Sequence, residues 1–283
     1  MNAIEVSGLA KKYGRFEALR GVDLSVGKGE VFGLVGPNGA GKTTLIKGLV
    51  GALRPSEGGV RVMGLNPLRD RAELRQRIGY MPQGPALYDD LSARGNVEFF
   101  GAAHRTGNLK KRVEEVLEFT DLSERAGDAV HTFSGGMKRR VSLACALVHE
   151  PEVIFLDEPT AAVDPQLRSR FWKTFRELAR GGTTLFISTH LMDEAVLCDR
   201  IAILRKGGVI ATDTPGNIIE RGSTRLVVKS GGIGKEETIG GHPEDLAAAL
   251  RPYGLGEDVT AVDVRTDTLE EVVLSLIEKD EVG

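Results

Sequence analysis

A glycine-rich loop at residues 36–44 constrains this chain more than any other segment. The loop reads Gly-Pro-Asn-Gly-Ala-Gly-Lys-Thr-Thr, follows the apolar run Val31–Val35 and precedes apolar residues at helical spacing, namely Leu45, Ile46 and Leu49. The GxxxxGK[ST] phosphate-binding motif occurs in this strand-to-helix context, because the free N–H groups of the helix N-terminus then face an anion. The segment therefore predicts a nucleotide phosphate site in an α/β domain.

The residue types in this loop suit separate chemical tasks. Glycines allow the backbone angles that place successive N–H groups around a β-phosphate. Lys42 supplies a point charge to the β- and γ-phosphates, Thr43 offers a hydroxyl to Mg²⁺, and we expect Thr44 to bond the α-phosphate. The predicted phosphate-site residues are Gly36, Pro37, Asn38, Gly39, Ala40, Gly41, Lys42, Thr43 and Thr44.

Composition limits where such a protein can work. The 283 residues are 41% hydrophobic, which favours one large domain with a small appendage. A net charge of −3 gives no general attraction to nucleic acid or anionic lipid, so we expect no nucleic-acid partner and any membrane contact through a protein. No apolar run approaches the roughly 20 residues of a membrane span, and the N-terminus does not resemble a secretory signal. These features favour a cytosolic chain, in which Cys145 and Cys198 pack in the core.

Two alternating runs before the loop predict β-strands. They are Ile4–Leu9 and Ala18–Val26, and Tyr13 lies between them. A ring just ahead of a phosphate loop is suited to stack on a nucleobase, but it could equally be ordinary surface.

A mostly helical segment follows from about residue 86 to residue 147. It comes after a predicted strand, Ile78–Met81, and the residue Gln83. Near its end, Ser134 is a suitable N-cap, and Gly135 and Gly136 leave N–H groups open to an anion or simply form a turn. The cations at residues 138–140 are typical of a solvated helix face.

Two acids follow the apolar strand 152–156. A buried parallel strand delivers its C-terminal residues to the ligand edge of a sheet, so Asp157 can hold hydrated Mg²⁺ and Glu158 can orient or deprotonate the attacking water. A helix N-cap would account for one acid but not for two. Asp164 caps the next predicted helix, and His190 ends the strand after it, where it could contact a γ-phosphate or be structural.

The last segment, 224–283, changes character. It predicts strands at 226–228 and 259–264, helices at 243–250 and 269–277, and a glycine-rich loop around 231–234. We interpret it as a small α+β appendage that supports regulation or dimerisation.

From about Ile4 to Arg221 the chain resembles the nucleotide-binding subunits of ATP-binding-cassette (ABC) transporters, because independent motifs occur in the family's order. Besides the phosphate loop, these are Tyr13 as the adenine-stacking aromatic, Gln83 as the glutamine-loop residue, Ser134-Gly135-Gly136-Met137 as the signature, Asp157 and Glu158 as the Walker B pair, Asp164 as the D-loop aspartate and His190 as the switch histidine. The resemblance implies an α/β fold: a P-loop NTPase core over 1–221 with a mostly parallel sheet, an antiparallel β part and a helical subdomain at about 86–147, followed by the appendage at 222–283.

The resemblance also implies ATP and Mg²⁺ as cofactors. The implied catalytic residues are Glu158, His190 and Gln83. The implied Mg²⁺ residues are Thr43, Gln83 and Asp157. Besides the phosphate loop, the implied nucleotide-binding residues are Tyr13, Ser134, Gly135, Gly136 and Asp164.

Several positions depart from the family pattern. Phe133 and Met137 replace the usual leucine and glutamine of the signature, and Ala161 and Val163 replace the usual serine and leucine of the D-loop. Side-chain hydrogen bonds from the missing glutamine and serine are lost, whereas the backbone role of the glycines is kept.

The signature and the C-terminal appendage together resemble the exporter branch that includes daunorubicin-resistance, nodulation-factor and sodium-efflux proteins. This implies a separately encoded permease, a second ATPase subunit paired head to tail in a homodimer, and a position on the cytoplasmic face of the cell membrane. The alternatives are an importer ATPase, a non-transport ABC ATPase of translation or DNA repair, and a small-molecule kinase, which would not account for Gln83, the signature and His190 together.

Overall fold

A computed structural model describes residues 2–84, 86–161, 163–230, 233–253 and 259–282. The strands are β1 (Asn2–Tyr13), β2 (Phe16–Gly27), β3 (Val31–Val35), β4 (Glu57–Val62), β5 (Ile78–Met81), β6 (Val153–Asp157), β7 (Thr184–Thr189), β8 (Arg200–Arg205), β9 (Gly208–Asp213), β10 (Ser223–Ser230), β11 (Ile233–Gly240) and β12 (Val259–Thr266). The helices are α1 (Lys42–Leu49), α2 (Arg71–Arg77), α3 (Ala93–Ala103), α4 (Leu109–Phe119), α5 (Gly135–Leu147), α6 (Pro165–Arg180), α7 (Met192–Ala195), α8 (Pro215–Ile219), α9 (Pro243–Leu250) and α10 (Leu269–Val282).

A mostly parallel sheet forms the centre, in the order β5-β6-β7-β3-β8-β9. The first five strands in this order, which are β5, β6, β7, β3 and β8, run parallel, and β9 pairs antiparallel with β8. Every residue of β3, β6 and β7 is buried, as expected for apolar strands covered on both faces. The carboxyl ends of these three strands therefore lie side by side at one edge, each followed by a predicted site segment.

A second, antiparallel sheet has the order β2-β1-β4. Its alternation of buried and exposed residues confirms the predicted antiparallel part. Strand β4 begins at Glu57, which pairs with Ala10 of β1. Together the two sheets and their helices confirm the α/β fold class.

Helices α3, α4 and α5 occupy the stretch predicted to be helical, and Pro85 at its edge lies outside the described residues. Their apolar side chains join one core with the central sheet, including Val97, Val113 and Val141. Cys145 and Cys198 are buried, as predicted, and burial raises the pKa of the Cys198 thiol to about 12.

The C-terminal segment forms an antiparallel sheet in the order β11-β10-β12, with α9 and α10. The predicted loop around 231–234 is only partly tested, since Gly231 and Gly232 lie outside the described residues, but Ile233 and Gly234 belong to β11. Helix α10 contributes Leu269, Val272 and Val273 to the main core. No helix among the described residues combines the length and apolar character that crossing a bilayer requires.

Candidate nucleotide site

The phosphate loop joins β3 to α1 and is held closely against neighbouring strands. A Cβ at Gly36 would lie 2.2 Å from the carbonyl oxygen of Leu204, and one at Gly41 would lie 2.7 Å from that of Ala18. Gly41 also caps α1 with φ +111°, a conformation that favours glycine. The loop can therefore take this path only with glycine at these two positions.

The Lys42 ammonium lies inside the loop. Its Nζ donates hydrogen bonds to the carbonyl oxygens of Gly36 (2.6 Å) and Pro37 (3.2 Å) and lies 3.5 Å from Oε1 of Glu158. Only 6% of the lysine is exposed, so its charge acts where little water can screen it. This is the position from which a lysine can reach the terminal phosphates of a nucleotide.

Thr43 and Asp157 meet as their motifs predicted. The Thr43 hydroxyl donates to Oδ2 of Asp157 at 2.7 Å, and Asp157 is 1% exposed. The other carboxylate oxygen accepts from the Ser188 hydroxyl at 2.5 Å. Hydroxyl and carboxylate oxygens are ligands that Mg²⁺ prefers, so Thr43 and Asp157 fit that ion.

Ser188 was missed by the sequence analysis. It stands opposite Asp157 in the parallel pairing of β6 with β7, and its carbonyl and hydroxyl both accept from the Glu158 N–H. A serine that directly follows the apolar run Leu185–Ile187 and precedes the strand end is the signal that could have identified it.

The three predicted catalytic side chains converge on one carboxylate. Glu158 lies 3.4 Å from Nδ1 of His190 and 3.5 Å from Nε2 of Gln83, on the side where Lys42 also approaches. The backbone of Glu158 has φ +52°, which is uncommon for a residue with a side chain and is typical of functional sites. The structure thus brings the predicted acid, amide and imidazole together beside the phosphate loop.

A cavity of about 420 Å³ opens over this cluster. Its lining residues are Phe16, Ala18, Pro37, Asn38, Gly39, Ala40, Gly41, Lys42, Thr43, Thr44, Gln83 and Glu158. Tyr13 is not among them in the described structure; its ring is half exposed and lies 4.9 Å from the Lys11 ammonium. Phe16, which is 64% exposed, is an aromatic candidate at the cavity that the sequence analysis overlooked.

The signature segment lies apart from the lining of this cavity. Ser134 is the N-cap of α5, as predicted, and its hydroxyl accepts from the Met137 N–H at 3.3 Å. Arg125 contacts the two signature residues that depart from the family pattern: it lies 5.1 Å from the centre of the Phe133 ring and donates to the Met137 sulfur at 3.8 Å. Ser134, Gly135 and Gly136 are not among the described residues that line the cavity.

The interpretation of residues 138–140 as a solvated helix face was only partly right. Lys138 pairs with Asp89 at 2.7 Å, and all three side chains are partly buried. Arg139 donates to the backbone oxygen of Glu158, so it braces the loop that carries this acid. Of the three, Arg139 is turned inward to a part-buried carbonyl, whereas Lys138 and Arg140 pair with exposed carboxylates.

Arg140 connects the signature helix to the D-loop. Its guanidinium lies 3.0 Å from Asp121 and 3.3 Å from Asp164. Asp164 caps α6 by accepting from the Leu167 N–H at 2.9 Å, and this bond, with the Arg140 charge, lowers the pKa of the Asp164 carboxyl. The predicted cap is therefore confirmed.

Comparison with known proteins agrees with this geometry. Residues 19–161 match the protein family described as ABC transporter. The linearmycin resistance ATP-binding protein LnrL of Bacillus subtilis (strain 168) is 37% identical over 97% of this chain and 89% of its own length. The daunorubicin resistance ATP-binding protein DrrA3 of Streptomyces coeruleorubidus is 44% identical over 80% of this chain and 73% of its own length. The Nod factor export ATP-binding protein I of Rhizobium sp. (strain N33) is 37% identical over 94% of this chain and 84% of its own length.

Solved structures share the architecture. An ATP-binding subunit of an ABC transporter superposes with a TM-score of 0.76 at 26% identity, covering 97% of this chain and 99% of that one. A dimeric ATP-binding cassette in a post-hydrolysis state, bound to ADP and Pi, superposes with a TM-score of 0.67 at 29% identity, covering 75% and 98%. The chain belongs to the ABC transporter family, as one of its ATP-binding, ATP-hydrolysing subunits.

Proposed function

We propose that this chain hydrolyses Mg-ATP to drive a separately encoded permease of an export system, from the cytoplasmic face of the cell membrane. The export assignment is supported by relatives named for drug resistance and for Nod factor export. The observation that carries the catalytic part is the convergence of Lys42, Gln83 and His190 on the carboxylate of Glu158.

In this proposal each cluster residue has one task. Glu158 orients the attacking water and accepts its proton, because its buried carboxylate faces the cavity above the phosphate loop. His190 donates a hydrogen bond to the γ-phosphate, and Lys42 stabilises the charge that develops there. Thr43, Asp157 and Gln83 would hold Mg²⁺, which supplies further neutralisation of phosphate charge when bound.

The proposed active unit contains two copies of this chain, paired head to tail. Ser134, Gly135 and Gly136 carry open helix N–H groups, yet they lie outside the cavity lining of their own chain. A second copy would bring these groups, with Asp164, to the nucleotide. A dimeric cassette among the solved relatives supports this arrangement.

We assign the permease to the surface beside Gln83. A groove of about 320 Å³ there is lined by Tyr80 and Pro82, which directly precede Gln83, and by Phe100. Next to it, Tyr88 and Phe99 form an edge-to-face pair at 4.7 Å although each is about half exposed. Exposed aromatic pairs are typical of protein interfaces, and an occupant here would press directly on the loop that carries Gln83.

A pull-down tests the partner. The tagged full chain, purified from detergent-solubilised native membranes, should recover a polytopic membrane protein in stoichiometric amount, identified by mass spectrometry. Phe99→Glu should lose that protein, because a charge would enter the apolar interface. Leu274→Glu is the matched control, since Leu274 is 52% exposed on α10. Recovery of ribosomal or DNA-bound proteins, with no membrane protein, would overturn the transport assignment.

A further inference from the structure

A buried acid outside the cavity lining connects two loops of the site. Glu194 lies on α7, four residues after His190, and is 1% exposed. One carboxylate oxygen accepts from the Thr160 hydroxyl, and the other accepts from the Thr189 hydroxyl at 2.7 Å. The Arg168 Nε lies 3.8 Å from the first oxygen.

A carboxylate in this position is costly unless its oxygens are satisfied. Burial of an unpaired charge costs more free energy than a single charge-assisted hydrogen bond can offset. Two hydroxyl donors and a nearby guanidinium together compensate the charge. Removing either hydroxyl therefore leaves an oxygen of Glu194 without its donor and allows the loop that carried the hydroxyl to shift.

The two hydroxyls belong to different catalytic segments. Thr160 follows Glu158 by two residues, in the loop that leads to Asp164. Thr189 is the last residue of β7 and directly precedes His190; its hydroxyl also accepts from the Leu191 N–H at 3.0 Å. One carboxylate thus spans the segment that carries the water-orienting acid and the segment that carries the imidazole.

We propose that Glu194 is a positioning residue for ATP hydrolysis, holding the Glu158 and His190 segments at the separation that catalysis needs. The proposal rests on the proposed catalytic roles of Glu158 and His190. The phosphate-loop contacts of Lys42 do not involve Glu194. Loss of the network should therefore lower turnover with little effect on nucleotide affinity, because misplacement of reacting groups acts on the chemical step.

The test removes each hydroxyl while keeping side-chain volume. Thr160→Val and Thr189→Val should each lower kcat about ten- to a hundred-fold, with KM and the affinity for a fluorescent, non-hydrolysable ATP analogue within about two-fold of the parent. Thr120→Val is the matched control, because Thr120 is fully buried and its hydroxyl donates to the Val116 carbonyl at 2.7 Å in the helical region. It should shift thermal unfolding by a similar amount and leave turnover unchanged.

A double variant separates positioning from general loosening. In a His190→Ala background, Thr189→Val should lower kcat less than it does in the parent, because its effect passes through His190. Parent-like turnover of both threonine variants, alongside an inactive Glu158→Gln, would overturn the proposal and leave the proposed function standing. An equal loss of affinity and turnover, with a large drop in thermal stability, would also overturn it. Parent-like turnover of Glu158→Gln would overturn the catalytic roles and this proposal together.

Discussion

At the residue scale, the site depends on how one carboxylate is surrounded. Glu158 is 8% exposed, and its carboxylate lies 3.5 Å from the Lys42 ammonium. Its backbone is held by the Ser188 oxygens and by Arg139. Because the residue is fixed from both the main chain and the side chain, its carboxylate is preorganised for a water in the cavity.

Glu158→Gln should keep nucleotide binding and lose hydrolysis. The amide has the same shape but cannot take a proton from water, so ATP turnover should fall by about a hundred-fold or more while affinity for ATP is retained. Steady-state phosphate release and equilibrium binding measure the two effects. Glu152→Gln is the control, because Glu152 is an exposed acid paired with Arg77 at 2.7 Å. Turnover of Glu158→Gln at the parent rate would show that another group activates the water.

At the element scale, two helix ends are joined by stacked imidazoles. His104 follows α3 and His149 follows α5, and their rings lie 3.8 Å apart at 13°. Nε2 of His149 is 3.0 Å from the Ile78 carbonyl of β5, the strand that leads to Gln83. Burial and the neighbouring ring lower the pKa of His149 to about 4. This junction therefore favours neutral histidine.

The junction predicts a loss of stability in mild acid. The pKa of His149 is lower in the folded chain than its ordinary value of 6.5. Between pH 6.5 and pH 4, His149 is therefore protonated in the unfolded chain but neutral in the folded chain. The stabilisation is complete above pH 6.5 and is lost as pH falls towards 4. Between pH 7 and pH 5 the free energy of unfolding should fall by on the order of 1–2 kcal/mol more in the parent than in His149→Gln.

Urea unfolding of both chains at several pH values measures this difference. Between pH 7 and pH 8 the free energy of unfolding should change alike in the two chains, because the His149 imidazole of the parent is then neutral in both the folded and the unfolded state. An identical acid response in the two chains would show that His149 does not cause the parent's loss.

At the scale of the whole molecule, the nucleotide cavity and the signature helix are separate surfaces of one chain. The N-terminus of α5 has open space at Gly135, where a Cβ would meet no atom within 4 Å. An acid at the start of a helix is also compatible with the helix dipole. We therefore expect a substitution at Gly135 to leave the fold of the single chain intact and to affect only the binding of a partner at this surface.

Gly135→Asp should abolish ATP-dependent dimerisation while the monomer stays folded. The new carboxylate would face the phosphates of the nucleotide on the partner, and like charges repel strongly in a closed interface. Light scattering after size exclusion, in the Glu158→Gln background with ATP, should show the 30.4 kDa chain alone, whereas Glu158→Gln by itself should double in mass. Gly135→Ala is the control and should dimerise. Dimerisation of Gly135→Asp would remove residues 134–136 from the shared site.

Much of the molecule follows from local patterns in the sequence. Strand β3 and helix α9 begin and end where the sequence predicted, and β6 lies one residue later than the predicted strand 152–156. The order of the motifs correctly indicated the ABC family and its fold. Local signals suffice here because a strand that is apolar throughout, or a capped amphipathic helix, has few alternative environments.

Only the tertiary structure decided which side chains meet. Strand β11 is mostly polar between Ile233 and Ile239 and forms because β10 offers it a paired edge. The inward turn of Arg139 depends on the Glu158 carbonyl, which accepts its hydrogen bond. The Ser188 contact with Asp157 and the Glu194 link between Thr160 and Thr189 follow from the β6-β7 pairing and from where α7 lies. These contacts join residues about 5 to 34 positions apart, so hydrogen-bond satisfaction in the folded core, rather than any local pattern, selects them.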